Sequence, residues 1–276
     1  MNASLDLLLR ELKLPTFLAQ AQPLAIEAAR SSWSFTRYLH PLAELELEDR
    51  RQRRVQRRYQ ESSLPASKTL TTLQVARLPE PVRRQLPTLC AGPFVDKAQN
   101  VLTFGLPGRG KTPVLCAVGQ ALVERGYRVF FTPAYQLIQR LLAAKQALRL
   151  EKELHKLDGF AAIIGDDIGY LQQSRAEMEV LFTFLAERYE RKSVLISSNL
   201  VFNQWDRIFQ DPMTTAAAID RLVHHALILE MTGPSFRTEQ AKTQHQEAIR
   251  TERDIRNAHP STEEVIEVSG PNDVKE

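Results

Sequence analysis

The sequence predicts an α/β protein: a three-layer fold with a parallel five-stranded sheet between helices, preceded by a small helical domain. Two observations carry this. From about residue 68 to 237 short apolar runs alternate with longer stretches of helical periodicity, the pattern of a parallel sheet covered by helices. One of those runs, Val101 to Phe104, leads directly into Gly105-Leu-Pro-Gly-Arg-Gly-Lys-Thr112, a full match to the glycine-rich phosphate loop that joins a strand to a helix.

Taken in order, Leu5, Leu8, Leu9 and Leu12 recur at helical spacing, and further helical stretches up to about Tyr59 are punctuated by Pro15, Pro23 and Pro41. A Pro- and Ser-containing connector, Glu61 to Ser67, follows. The boundaries are therefore 1–67 for the helical module with its connector, 68–237 for the sheet domain, and 238–276 for a polar, weakly periodic tail. Strands are expected at Val101–Phe104, Arg128–Phe131, Phe160–Asp166, Val194–Ser198 and Leu227–Glu230. Helices are expected near Lys111–Arg125, Tyr135–Leu150, Arg175–Glu190 and Thr215–His224. In such sheets ligands bind at the carboxyl ends of the strands.

Composition narrows the class. At 276 residues, 43% hydrophobic and 25% charged, the chain has ordinary globular composition and length for one large core plus a smaller module. Two cysteines, Cys90 and Cys116, do not make a disulfide framework. There is no apolar stretch of membrane-spanning length, and Met1 to Lys13 lacks the features of a secretory signal, which predicts a cytoplasmic protein without a membrane partner. The net charge is +3, yet Thr238 to Glu276 holds nine acidic and five basic residues, so the positive excess lies upstream and suits an anionic partner.

The phosphate loop is the main chemical element. Gly105, Leu106, Pro107, Gly108, Arg109 and Gly110 supply a backbone with few Cβ atoms that can wrap a triphosphate and aim N–H groups at it. Lys111 then meets the β- and γ-phosphates of ATP and Thr112 ligates Mg²⁺. The strand Phe160 to Asp166 ends in paired carboxylates, of which Asp166 holds Mg²⁺ and Asp167 orients or deprotonates the attacking water; the plain alternative is an Asp-Asp turn. Gly165 sits where a β-branched residue would pack better, which predicts a more mobile strand end. After Val194-Leu-Ile-Ser-Ser, Asn199 is placed to bond the γ-phosphate or position the lytic water, with a polar strand cap as the alternative.

For nucleic acid the informative run is Arg50, Arg51, Arg53, Arg54, Arg57 and Arg58, whose density on one helix suits sequence-tolerant contacts to duplex DNA phosphates. Lys68, Arg77, Arg83 and Arg84 extend that surface. Glu44, Glu46, Glu48 and Asp49 just upstream are competing intramolecular partners, so a solvated charged helix stands as the alternative. Adjacent His224 and His225 point about 100° apart on a helix and no further Cys or His cluster completes a metal site, which favours helix-end packing. Cys116 and Trp33 are read as core residues.

Together with the phosphate loop, Asp166-Asp-Ile-Gly-Tyr-Leu171, Arg188-Tyr-Glu-Arg191, Ser198-Asn-Leu200, Trp205, Phe209-Gln-Asp-Pro212 and Asp220-Arg-Leu-Val-His-His225 resemble the IstB-type transposition helper ATPases of bacterial insertion sequences. These are AAA+ P-loop proteins similar to DnaC and DnaA. The resemblance runs over most of residues 5 to 237 and implies an ATPase that multimerises on target DNA and stimulates a cognate transposase. A DnaC-like helicase loader, or a nucleotide-gated DNA-binding scaffold with little hydrolysis, remains open. The resemblance also implies that Arg221 is an arginine finger reaching a neighbouring subunit's ATP, and that Arg237 is a second sensor acting on the subunit's own nucleotide. Arginine fits both through its fixed charge and planar fork. One departure is Pro113, where the family has a residue with an N–H that helps bind the α-phosphate. Proline removes that donor and disfavours the helical conformation of Thr112, which predicts weaker binding and a displaced Mg²⁺ ligand.

Overall fold

The computed structural model describes residues 3–168, 174–200, 212–233, 235, 236 and 238. The motif residues Gly169 to Leu171, Trp205 and Phe209 to Asp211 lie outside these. The chain divides into two compact units, 1–233 and 234–276. In the second, the Thr238 N–H donates to Ser235 Oγ at 3.3 Å.

Three helices open the first unit: α1 (Ala3–Glu11), α2 (Pro15–Arg30) and α3 (Phe35–Ser62). Pro15 stands at the first turn of α2, where its missing N–H costs no helical bond. Ser34 caps α3 by accepting the Arg37 N–H at 3.3 Å. The breaks expected at Pro23 and Pro41 do not occur, since the two prolines lie inside α2 and α3. The two helices pack on each other, and tertiary contact of this kind outweighs one lost backbone bond.

Glu46 anchors that pair from a position only 4% exposed. Its Oε2 accepts the Thr16 N–H at 3.0 Å, and its Oε1 accepts Arg50 Nε at 2.7 Å and Arg53 Nη2 at 3.4 Å. The Thr16 hydroxyl donates to Asp49 Oδ2 at 2.8 Å, and Arg50 Nη2 reaches Lys13 O at 3.0 Å. Burial works to raise the Glu46 carboxyl, but hydrogen bonds from Arg50 and Thr16 outweigh it and hold the group below the usual carboxylate range.

Helices α4 (Glu80–Ala91) and α5 (Pro93–Asp96) precede the sheet and are not among the elements predicted from periodicity. The strands β1 (Asn100–Phe104), β2 (Val129–Pro133), β3 (Ala162–Ile168), β4 (Ser193–Ser198) and β5 (Ala226–Glu230) pair in the order β2-β3-β4-β1-β5, every pair parallel. Each falls within about two residues of its expected place. Helices α6 (Lys111–Glu124), α7 (Ala134–Gln146), α8 (Leu150–Asp158), α9 (Arg175–Arg188) and α10 (Pro212–Val223) fill the crossovers. The helix expected over 135–150 stops early. Leu148 takes φ +54° and a separate α8 begins at Leu150, because the apolar spacing continues across the break.

On one face Ile138 and Leu141 of α7, Phe184 of α9 and Leu222 of α10 bury Leu102, Ile163, Val194 and Ile196 of the sheet. On the other, α6 packs against β2, β3 and β4 and is itself covered by α3 and α4, which completes three layers. Gly119 permits the close approach of α6, since a Cβ there would come 2.7 Å from Ile164 Cδ1. Arg188, only 2% exposed, donates to Leu157 O at 3.1 Å and to Phe160 O and Ser193 O at 3.0 Å, tying α8 to the starts of β3 and β4. Burial pushes its guanidinium down to about 10. Cys116 is fully buried on α6, and burial pushes its thiol up to about 12.

Candidate nucleotide site

The site forms where three adjacent strands, β3, β4 and β1, end. Gly105 leaves β1 with φ +151° and passes so close to the residue after β5 that a Cβ would sit 2.5 Å from Met231 O. Gly110, at φ +87°, caps α6 in a conformation that a side chain would strain. Arg109 Nη1 donates to Met231 O at 3.3 Å and pins the loop from the same side. The 6%-exposed Lys111 is folded inward, donating from Nζ to Gly105 O at 2.6 Å, Leu106 O at 3.0 Å and Asn199 Oδ1 at 2.6 Å.

Both carboxylates reach this network. Thr112 Oγ1 donates to Asp166 Oδ1 at 2.8 Å, and Asn199 Nδ2 donates to Asp167 Oδ1 at 2.6 Å. Neighbouring strand residues ordinarily face opposite sides of a sheet. Here the β3–β4 register runs Gly165↔Ile196 and then Ile168↔Ser198, so β3 carries one extra residue and bulges, with Asp167 at φ +60°. Ser197 secures the bulge, donating to Asp166 Oδ1 at 2.6 Å and accepting the Asp167 N–H at 2.8 Å. Neither the bulge nor Ser197 is among the residues predicted for the site. The only hint in the sequence is the small polar end of β4, which reads equally well as a strand cap.

The donor set fits a triphosphate and its metal. The loop is closed to any Cβ at Gly105, Lys111 places an ammonium at its mouth, and a hydroxyl and a carboxylate meet beside it. Thr112 is not displaced by Pro113. The proline occupies the third position of α6, whose N–H has no acceptor within a helix, and the next donor, Val114 N–H, bonds Gly110 O at 3.1 Å.

Residues 7–244 match the family of IstB-like ATP binding proteins. The chain belongs to that family. A Sinorhizobium fredii protein described as an insertion sequence ATP-binding protein is 41% identical to the IstB-like chain over 241 residues, covering 87% of the chain and 81% of the relative. The IS21 insertion sequence ATP-binding protein of Pseudomonas aeruginosa is 34% identical over 238 residues, covering 86% and 90%. Among solved structures, DnaI resembles this chain with a TM-score of 0.52 at 20% identity, covering 62% of the chain and 96% of DnaI. AMPPCP-bound DnaA from Aquifex aeolicus gives 0.53 at 17%, covering 67% and 57%. At these identities the likeness is one of fold, a parallel sheet covered by helices with a glycine-rich loop after β1. The chain is thus similar over most of its length to insertion-sequence ATP-binding proteins, and among its described residues no helix is long and apolar enough to cross a membrane.

The other expected residues of this IstB-like chain are spread around the fold. Arg221 lies near the end of α10 at the opposite end of the sheet from Lys111. Asn100, at the start of β1, donates to Leu222 O at 3.1 Å and to Arg221 O at 3.4 Å while accepting the Val194 N–H at 2.9 Å. The Arg221 guanidinium stacks 4.4 Å from the Phe182 ring centroid, and its Nη1 is shielded from solvent with no hydrogen-bond partner among the described residues. Neither Asp220 nor Glu230 pairs with it there. Arg237 lies outside the described residues.

The arginine run falls within the single helix α3 and is divided by it. Arg50 and Arg53 are engaged at Glu46, and Arg58 donates to Gly126 O. Arg51 and Arg57 are 71% exposed and, among the described residues, make long pairs of 3.9 Å with Glu48 and Glu61. Arg54 is exposed with no partner among the described residues. Trp33 is half-buried beneath Arg37, whose Cζ lies 5.1 Å from the ring centroid. His224 and His225 are exposed in the turn that ends α10, where the His224 N–H still donates to Asp220 O at 2.9 Å and its ring lies 6.2 Å from that of Tyr189.

Proposed function

We propose that this chain is an ATPase that assembles into oligomers on target duplex DNA and, in its nucleotide-bound form, stimulates the transposase of its insertion sequence. The observation that carries this reading is the convergence of Lys111, Thr112, Asp166, Asp167 and Asn199 on the ends of three adjacent strands. ATP seats its β- and γ-phosphates on the loop, and Lys111 exchanges its bonds to the Gly105 and Leu106 carbonyls for phosphate oxygens. Thr112 and Asp166, joined at 2.8 Å, would hold Mg²⁺, which would neutralise phosphate charge there. Asp167 accepts a proton from, or orients, the attacking water, with Asn199 fixing the carboxylate's direction. Arg237 serves as a sensor of the subunit's own nucleotide.

Arg221 supports the oligomeric part of the reading. At the far end of β1 it stands roughly 13 Å along the strand from the phosphate loop, so its charge serves a nucleotide only on a neighbouring copy. Leaving Phe182 forfeits about 0.5–2 kcal/mol of cation–π attraction, which a phosphate contact offsets. DNA contact is assigned to the exposed stripe Arg51, Arg54 and Arg57, spaced three apart on α3.

Turnover measured with and without duplex DNA tests this. The parent hydrolyses ATP faster on DNA, Asp167→Asn binds ATP but turns over slowly, and Arg221→Ala alone is inactive. Mixing Arg221→Ala with Asp167→Asn restores part of the activity at interfaces that combine an intact Asp167 with an intact Arg221. Full activity of Arg221→Ala alone contradicts the finger. ATP binding with no turnover by the parent favours the nucleotide-gated scaffold, for which the donor missing at Pro113 speaks.

A further inference from the structure

We propose that Glu190, His224 and His225 form a surface site for a divalent transition metal of the zinc class, which staples the turn after α9 to the turn after α10. Each residue offers one ligand atom, and the three atoms lie within 4.8 Å of one another at the surface. Tetrahedral zinc, with bonds of ~2.0–2.2 Å, sets its ligand atoms roughly 3.3–3.5 Å apart. The separation of His225 Nε2 from Glu190 Oε1 is already 3.6 Å, and the remaining closure needs only rotation of exposed side chains.

Three further observations point to a ligand. Adjacent residues on a helix diverge by about 100°, but these histidines stand in a turn, with ring centroids 4.1 Å apart, so both imidazoles serve one ion. The Tyr189 hydroxyl lies 2.9 Å from His224 Nδ1, an outer-shell bond that steadies the ring and leaves Nε2 for a metal. Glu190 holds φ +56°, a left-handed conformation costly for a residue with a Cβ, and it is this strained residue whose carboxylate faces His225. Two imidazoles with one carboxylate select zinc, cobalt, nickel or copper over magnesium or calcium. Three protein ligands leave a further coordination position for water. The phosphate site uses none of these residues, so the metal site stands or falls independently of the ATPase reading.

The test uses the untagged full chain, stripped with chelator and titrated with Co²⁺ and then Zn²⁺. One Co²⁺ per chain is expected, with the visible absorption of a low-coordinate site, displaced by Zn²⁺. Zn²⁺ raises the thermal midpoint of the parent. Glu190→Gln weakens Zn²⁺ binding by about 10-fold or more, in line with loss of a ligand or its support. The double variant His224→Ala with His225→Ala abolishes both the absorption and the thermal shift. His40→Ala, which removes the exposed histidine paired with Glu44 at 3.3 Å, changes neither. ATP affinity measured without Zn²⁺ checks that each variant is folded. No stoichiometric binding by the parent, or binding unchanged in Glu190→Gln and in the double variant, overturns the proposal.

Discussion

Replacing Ser197 with alanine tests the least expected feature of the nucleotide site. The hydroxyl is fully buried, donates to Asp166 Oδ1 at 2.6 Å and accepts the Asp167 N–H at 2.8 Å. A hydrogen bond to a charged group contributes about 1.5–3 kcal/mol and a neutral one about 0.5–1.5 kcal/mol, so Ser197→Ala is expected to destabilise the chain by about 2–4 kcal/mol. The effect on turnover follows a different path. Ser197 holds the carboxylate that meets Thr112 and the backbone that turns Asp167. Loss of such a supporting bond costs about 10–100-fold in comparable metal sites, and a similar fall in turnover is expected here. The assay is single-turnover ATP hydrolysis at saturating nucleotide beside urea denaturation, with Ser197→Thr as the variant that keeps the hydroxyl. An unchanged denaturation midpoint together with full turnover in Ser197→Ala would refute the reasoning.

Three more predictions concern the loop, the DNA surface and the helical hairpin. Pro113→Ala restores an N–H at the start of α6 and is expected to tighten ATP binding about 5-fold, since one such bond contributes about 1 kcal/mol; competition with a fluorescent nucleotide measures it, and equal affinity means that the loop compensates. Neutralising Arg51, Arg54 and Arg57 to glutamine should weaken binding to every duplex and flatten the salt dependence by about one unit per lost phosphate contact. An unaltered salt slope would return the run to a solvated charged face. Because the Glu46 carboxyl is held below its usual range when folded, its contribution to stability is present above the ordinary carboxylate pKa and is lost as the pH falls through the lowered value. Acid titration of Glu46→Gln should therefore show a shallower loss of stability than the parent; parallel curves would contradict the assignment.

How much of this was legible in the sequence depended on how far apart the partners lie along the chain. The phosphate loop and Lys111 are contiguous with β1, so local pattern and chemistry agree and the loop is readable at once. The strands are readable for the same reason, as short apolar runs bounded by turn residues. The bulge at Asp167 was not, because a one-residue insertion leaves an apolar run looking regular and shows only in its register with β4. Helix α8 escaped because Leu150, Leu154 and Leu157 prolong the apolar spacing of α7 past the reversal at Leu148. The Thr16 contact of Glu46 and the His225 contact of Glu190 were hidden by distance. One joins two helices, and the other joins two separate turns. The acids upstream of the arginine run were readable as its intramolecular partners, yet only the fold divides the run into residues engaged at Glu46 and Gly126 and residues left to solvent.

The central claim is that ATP binds through Lys111 at the ends of β1, β3 and β4. Calorimetric titration of Mg²⁺–ATP into the parent and into Lys111→Ala tests it most directly. The ammonium gives up its bonds to Gly105 O and Leu106 O for a charge-assisted phosphate contact of about 1.5–3 kcal/mol. The parent should bind one ATP per chain, and Lys111→Ala should bind it about 10- to 150-fold more weakly while keeping its folded circular dichroism. Equal affinity in the two proteins would contradict the account.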